Sequence, residues 1–221
     1  MDPPRNVYTV PPEEHSSLNV VIVDDHVALR RGMELLLRRA GHHVIGTADD
    51  AESGEALIQR RRPHVALVDL ALPGKSGAEL TRNLLATDPN LRIILYTGAA
   101  DERQLLAALD AGAAGVALKS GDPAELELAI RTVAAGDDYL DPRLTPLLSR
   151  AGNGAVKTLS PREREILGLL SQGLSGEQAA KQLYLSSETV RTHVRNAMSK
   201  LGAATRAHAV ALALQRGEIS A

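Results

Sequence analysis

The first half of the chain is built from short apolar runs that each stop at a polar residue. Leu18–Val23 (LNVVIV) stops at Asp24 and Asp25, and Val65–Val68 (VALV) stops at Asp69. Leu91–Tyr96 (LRIILY) stops at Thr97, and Gly115–Leu118 stops at Lys119. Continuous apolar runs of this length mark strands buried on both faces. His43–Ala48 reads as a further strand. Between the strands, apolar residues recur at helical spacing, first as Leu29, Met33, Leu36 and Leu37, then over Ser53–Arg61, Ala78–Ala86, Asp101–Ala111 and Pro123–Ala135. Ser53 is the expected N-cap of the second helix. Strand then helix, five times, predicts a five-stranded, doubly wound parallel sheet with helices on both faces.

After about residue 157 the pattern is helical throughout. Ser160, Pro161 and Glu163 form a capping box that opens a helix through Ile166, Leu167, Leu169 and Leu170. Ser175 and Gln178 repeat the device. Ser186 or Ser187 opens a third helix to about Leu201, and Ala204 or Thr205 a fourth over Arg206–Arg216. The short turn Tyr184–Ser187 between the second and third helices fits a helix-turn-helix. The expected second domain is therefore an all-α four-helix unit at 158–221. It follows a first domain at 18–138 and a linker at 139–157. The proline-bearing segment 1–17 is expected to be a disordered tail.

Charge divides the chain in the same place. Residues 1–141 hold 14 Lys and Arg against 22 Asp and Glu, whereas residues 142–221 hold 11 against 5. A basic second domain suits a polyanionic partner. There is no cysteine among the 221 residues, which excludes a disulfide scaffold and thiol chemistry. No apolar run approaches the length of a membrane span, and the N-terminal segment has no apolar signal core. These features lead us to expect a cytoplasmic protein without a membrane partner.

In a parallel sheet all strand C-termini lie on one edge, where ligands bind. That edge would gather Asp24, Asp25, Asp69, Thr97 and Lys119. Carboxylates packed so closely repel one another, and a hard divalent cation such as Mg²⁺ relieves this. Lys119 and Thr97 would then help to neutralise and position a phosphoryl group, with Asp69 as the carboxylate nucleophile.

In the second domain, Val190, Val194, Ala197 and Leu201 share the core face of the third helix. Glu188, Arg191, Thr192, Arg195 and Ser199 lie opposite, flanked by Thr189, His193 and Lys200. A cationic face bearing hydroxyls suits phosphates and base edges in a major groove.

The acidic pair followed by His26, Asp69 in VDLALPGKSG, Thr97 in YTG and Lys119 in GAAGVALK together resemble the receiver domain of two-component response regulators. The stretch LSPREREILGLLSQGLSGEQAAKQLYLSSETVRTHVRNAMSKLGA is similar to the LuxR/NarL-type DNA-binding domain. The resemblance implies a flavodoxin-like receiver, phosphorylated on Asp69 by a sensor histidine kinase. It implies Mg²⁺ held by Asp25, Asp69 and the backbone carbonyl of Ala71, with Asp24 acting through water. It implies phosphate sensing by Thr97 and Lys119, and DNA contacts from Thr189, Val190, Arg191, His193, Arg195 and Lys200. It further implies a homodimer on paired half-sites of double-stranded DNA. Ala207, Val210, Ala211 and Leu214 are candidates for either the dimer surface or the domain core. The expected protein is a transcriptional regulator and not a turnover enzyme. The alternative is a regulator whose DNA binding ignores phosphate and whose receiver only docks or dimerises. Two departures bear on that alternative: the family's usual aromatic three residues before the lysine is Val116, and its proline after the lysine is Ser120.

Overall fold

The computed structural model describes residues 17–98, 101–148 and 159–220. Residues 1–16 of the expected tail and 149–157 of the expected linker lie outside the described residues. In chain order the first domain runs β1 (Asn19–Val23), α1 (Val27–Arg39), β2 (His43–Ala48), α2 (Ala51–Arg61), β3 (Val65–Asp69), α3 (Gly77–Thr87), β4 (Ile93–Thr97), α4 (Glu102–Asp110), β5 (Gly115–Leu118) and α5 (Pro123–Ala134). Then follow β6 (Tyr139–Leu140), a 3₁₀ turn (Pro142–Leu144) and a short α6 (Thr145–Leu148). The second domain comprises α7 (Pro161–Ser171), α8 (Gly176–Gln182), α9 (Ser187–Leu201) and α10 (Arg206–Gln215).

The sheet has six strands rather than the expected five, in the order β2-β1-β3-β4-β5-β6, all parallel. The added strand extends the sheet past residue 138, into the segment expected to be linker. Tyr139 and Leu140 pair with Gly115 and Val116, and the Asp141 N–H donates to the Val116 carbonyl at 2.9 Å. Two residues make no apolar run, so no hydrophobic period announces the strand.

The strand order reverses between β1 and β3, the place where an open α/β sheet leaves a crevice at its carboxyl edge. Asp24 and Asp69 follow β1 and end β3 there. Both faces of the sheet are covered. Val21 and Val23 join one core cluster and Val20 and Ile22 the other, as the two-residue period of a strand requires. Helix starts are capped as their sequences specify, with capping boxes at Ser76, Asp101, Ser160 and Ser175. At α2 the cap is Asp50, whose carboxylate accepts from the Ser53 N–H, rather than Ser53 itself.

Gly77 opens α3 against the back of the crevice. A Cβ there would sit 2.2 Å from the Asp69 carbonyl oxygen, so only glycine allows α3 to start this close to β3.

The four helices of the second domain pack around α9, which meets α7, α8 and α10. Lys200 on α9 reaches Glu163 on α7, its Nζ 2.7 and 2.9 Å from the two carboxylate oxygens. Burial works against ionisation of Glu163, but Lys200 and the Ser160 capping bonds outweigh it and hold the carboxyl below its usual range. The domains touch where α10 lies against α4 and α6. No helix among the described residues is long and apolar enough to cross a membrane.

Tyr184, in the turn between α8 and α9, is held at φ +55° and is 97% exposed. A left-handed conformation costs an L-residue about 1–2 kcal/mol, and an exposed ring repays little of it by burial. Glycine removes that strain at an unfolded-state entropy cost of about 0.5–1 kcal/mol. Tyr184→Gly should therefore stabilise the second domain modestly, by up to about 1 kcal/mol, seen as a small rise in its thermal unfolding midpoint.

Candidate functional site

The crevice brings together the side chains that the strand ends promised. Asp24 follows β1 and Asp69 ends β3, 1% and 3% exposed respectively. The Lys119 ammonium bridges them, 2.6 Å from Asp24 Oδ2 and 2.7 Å from Asp69 Oδ2. Lys119 is itself held by its backbone N–H, which donates to the Thr97 carbonyl at 2.7 Å. Thr97, ending β4, is buried at the same edge. The second oxygen of Asp69 accepts the Ala71 N–H at 3.2 Å. Apart from the ammonium, no donor reaches Oδ2 of Asp24 among the described residues.

Asp25 is more open, with its side chain 38% exposed. The His26 ring lies over it, Nδ1 2.7 Å from Asp25 Oδ1. Ligand atoms of Asp24, Asp25, His26 and Asp69 all fall within 4.8 Å of one another. Three carboxylates face one ammonium, so the pocket is anionic at its open end. That donor set fits a small divalent cation.

Around this pocket the sheet edge continues into the linker. The Leu118 N–H donates to Asp141 Oδ2 at 3.2 Å. Asp141 in turn accepts Nε and Nη2 of Arg143 at 2.9 and 2.6 Å, and Arg143 Nη2 also reaches Glu125 on α5 at 2.7 Å. Burial opposes the Asp141 charge, yet these bonds hold its carboxyl below its usual range. Val116 is wholly buried and pairs with Leu140 of β6.

The third helix of the second domain is less open than its sequence suggests. Arg191 and Arg195 are exposed, yet with Val194 and Met198 they line a cleft of about 550 Å³ shared with receiver residues including Arg92, Asp137 and Asp138. Thr189 is half-buried, and its hydroxyl lies 2.8 Å from that of Ser186. His193 is also half-buried. Val190 is 1% exposed and belongs to the core, which corrects its place among the DNA contacts. Lys200 is tied to Glu163, as described above.

Ala207, Val210, Ala211 and Leu214 are buried to between 0 and 3% exposure. They form core and interdomain packing here and offer no free dimer surface. Ala207 and Val210 share a small cavity with Leu128 and Thr132 of α5. The start of α10 is capped by the receiver. Asp138 accepts the backbone N–H of Arg206, and that of Ala207 at 3.3 Å. Arg206 Nη2 also pairs with Asp137 Oδ1 at 3.1 Å. Burial raises the Asp138 carboxyl above its usual range, although Arg206 pulls the other way. Sequence reasoning missed this clasp, whose partners are 68 residues apart and carry no motif.

The first domain matches the family model described as response regulator receiver domain, over residues 20–131. Residues 157–213 match that of bacterial regulatory proteins, luxR family. The chain is a response regulator with a luxR-type DNA-binding domain. It is 35% identical over 205 residues to the DNA-binding transcriptional activator DevR/DosR of Mycobacterium tuberculosis, covering 90% of this chain and 94% of that one. Among solved structures it resembles the response regulator ChrA of a heme-sensing two-component system, with TM-score 0.53 and 33% identity over 91% of this chain and 98% of that one. It also resembles the response regulator RcsB in an RcsB–DNA complex, with TM-score 0.57 and 28% identity over 90% and 98% of the two chains. The six-stranded parallel sheet followed by a helical domain agrees with this family. The response regulator acts in transcription.

His208, on α10, gives a pH dependence with a definite sign. Its Nδ1 accepts the Ala204 N–H at 3.2 Å, and burial lowers its pKa below 6.5, with Asp110 opposing and Arg216 assisting. A depressed histidine contributes stability above the unfolded value and loses it as pH falls through the folded one. Unfolding midpoints should drop as pH falls below 6.5, the unfolded value. The drop should shrink in His208→Asn, whose carbonyl oxygen keeps the acceptor without the titration.

Proposed function

We propose that this response regulator is switched by phosphorylation of Asp69, and that the switch releases a DNA-binding face which the receiver holds closed. The observation that carries the reading is the Lys119 bridge to Asp24 and Asp69 at the sheet reversal. A buried nucleophilic carboxylate with a fixed ammonium beside it suits phosphoryl capture. An oxygen of Asp69 attacks the phosphorus of a phosphohistidine on a sensor kinase. The O–P bond forms as the P–N bond breaks, and the imidazole nitrogen leaves with the electron pair. A divalent cation, Mg²⁺ in the simplest case, would neutralise phosphoryl oxygens when bound. Asp25, Asp69 and the Ala71 carbonyl would hold it, with Asp24 behind. Lys119 then moves from carboxylate to phosphoryl oxygen, and the Thr97 hydroxyl donates to another. The residue accepts one phosphoryl group per cycle, and the protein is not a turnover enzyme.

The closed state follows from the cleft. Receiver residues Arg92, Asp137 and Asp138 line the same cleft as Arg191 and Arg195, so a duplex lying along α9 would compete with the receiver for that space. DNA binding requires the domains to part, which also bares α10 for a second copy. With Val116 sealed by β6, the signal leaves by another route. A shift of Lys119 pulls Leu118, Asp141 and Arg143 in turn, and the 3₁₀ turn carries this to α6 and α10.

Two experiments test the reading. With a small phosphodonor and Mg²⁺, the protein should gain one phosphate by mass and bind duplex DNA more tightly, and Asp69→Asn should do neither. Equal DNA affinity with and without phosphate would instead favour a regulator that ignores phosphorylation. Asp138→Ala removes the clasp while Thr205 still caps α10. Loss of a charged hydrogen-bond acceptor worth about 1.5–3 kcal/mol should raise unphosphorylated DNA affinity roughly tenfold or more by populating the open state. No gain in fluorescence anisotropy titrations would show that the clasp does not hold the domains together.

A further inference from the structure

The His26 ring has no part in the phosphoryl chemistry just described, yet it stands at the mouth of the acidic pocket. Its Nδ1 is 2.7 Å from Asp25 Oδ1, 3.4 Å from Asp24 Oδ1 and 4.0 Å from Asp69 Oδ2. The ring's contact here is the short bond to Asp25, to which Nδ1 brings the proton; a bound ion would take that proton's place between the two atoms. His26 is the N-cap residue of α1, but its side chain makes no capping bond. It is 68% exposed, so it fills no core. The local backbone nonetheless fixes where it points. The His26 N–H donates to Asp24 Oδ1 at 2.8 Å, folding the chain back over the pocket.

Lys119 engages Oδ2 of both Asp24 and Asp69, and the Arg30 guanidinium donates to the Asp24 backbone carbonyl. The open side of the pocket is thus lined by Asp25 and the imidazole, with Asp24 and Asp69 behind. Its four ligand-bearing side chains keep their donor atoms within 4.8 Å, a spacing that one ion can span.

We propose that His26 Nδ1 is a ligand of the pocket cation, so that the site offers a mixed nitrogen–oxygen donor set. Such a set favours divalent transition ions of the cobalt, nickel and zinc class over Mg²⁺. The inference rests on the reading that this pocket holds a divalent cation. Its chemistry is ordinary. A neutral imidazole presents one lone pair, which Mg²⁺ uses poorly and later first-row ions use well. His26 is then the residue that sets which metal loads the receiver, and the exposed ring can swing to meet an ion without disturbing the core.

The test is metal binding by the full-length, tag-free protein, without phosphodonor. Co²⁺ is followed by its visible absorption and by calorimetry, and Mg²⁺ by calorimetry. Excess Mg²⁺ should bleach the Co²⁺ band, and Asp69→Asn should lack it, which places both ions in the acidic pocket. His26→Ala should weaken Co²⁺ by about tenfold or more and change its spectrum, while leaving Mg²⁺ within about twofold. His26→Asn guards against a helix defect, since asparagine is a good N-cap; it should lose Co²⁺ affinity in the same way and keep Mg²⁺. Unchanged Co²⁺ affinity in both variants overturns the proposal. So does an equal loss of both ions, which would make the ring a support for Asp25 and not a ligand. If the wild type binds neither ion, or Asp69→Asn binds both normally, the cation pocket itself is wrong and the ligand role falls with it.

Discussion

One ammonium holds the carboxyl edge of the receiver sheet together. Lys119 reaches both buried carboxylates across the sheet reversal, from a strand that is two places away from β3. Buried carboxylates need such a partner, because removing the charge on one side leaves an expensive unpaired ion. The same contact makes the site responsive. On the proposed function, an arriving phosphoryl group would offer Lys119 a competing anion, and chemistry at Asp69 would be coupled to the position of β5 through a single side chain. Gly77 tightens the arrangement from behind by letting α3 start against the Asp69 backbone.

Outward from that side chain, the position of the family's usual aromatic is filled by Val116. Val116 is small, buried and covered by β6. The Asp141 carboxylate instead collects the Leu118 N–H and the Arg143 guanidinium, which puts the end of β5 in direct contact with the first turn of the linker. Gly121 leaves room for the Arg143–Glu125 pair, since a Cβ there would lie 2.6 Å from Arg143 Nη2. A rigid polar lattice of this kind suits transmission of small displacements, because each member has few alternative partners.

Much of this was legible in the sequence, for identifiable reasons. Apolar runs ending in Asp24, Asp69, Thr97 and Lys119 can only share an edge in a parallel sheet, so the pocket followed from strand period and polarity. The capping boxes at Ser160 and Ser175 marked their helices directly. What stayed hidden lacks period or local signal. β6 is two residues long. The Asp138–Arg206 clasp joins distant positions by a carboxylate and backbone N–H groups, which any residue possesses. Helix α10 is apolar nearly all round, so its pattern could not separate a dimer face from core. Val190 belonged to both a core stripe and a family contact set, and packing decided in favour of the core.

The capping of α10 by the receiver has a consequence for how firmly the two halves need to hold each other. Both domains belong to one chain, so the clasp forms at the high effective concentration of an intramolecular contact and not against bulk dilution. In the proposed closed state, the Asp138 clasp and the packing of α10 would then need only modest net strength to keep the molecule shut. The two domains made as separate chains would associate weakly. Lengthening the tether would cost closure only slowly, by about 0.6 kcal/mol for each doubling. On the proposed function, covalent connection is what would let this contact govern access to DNA.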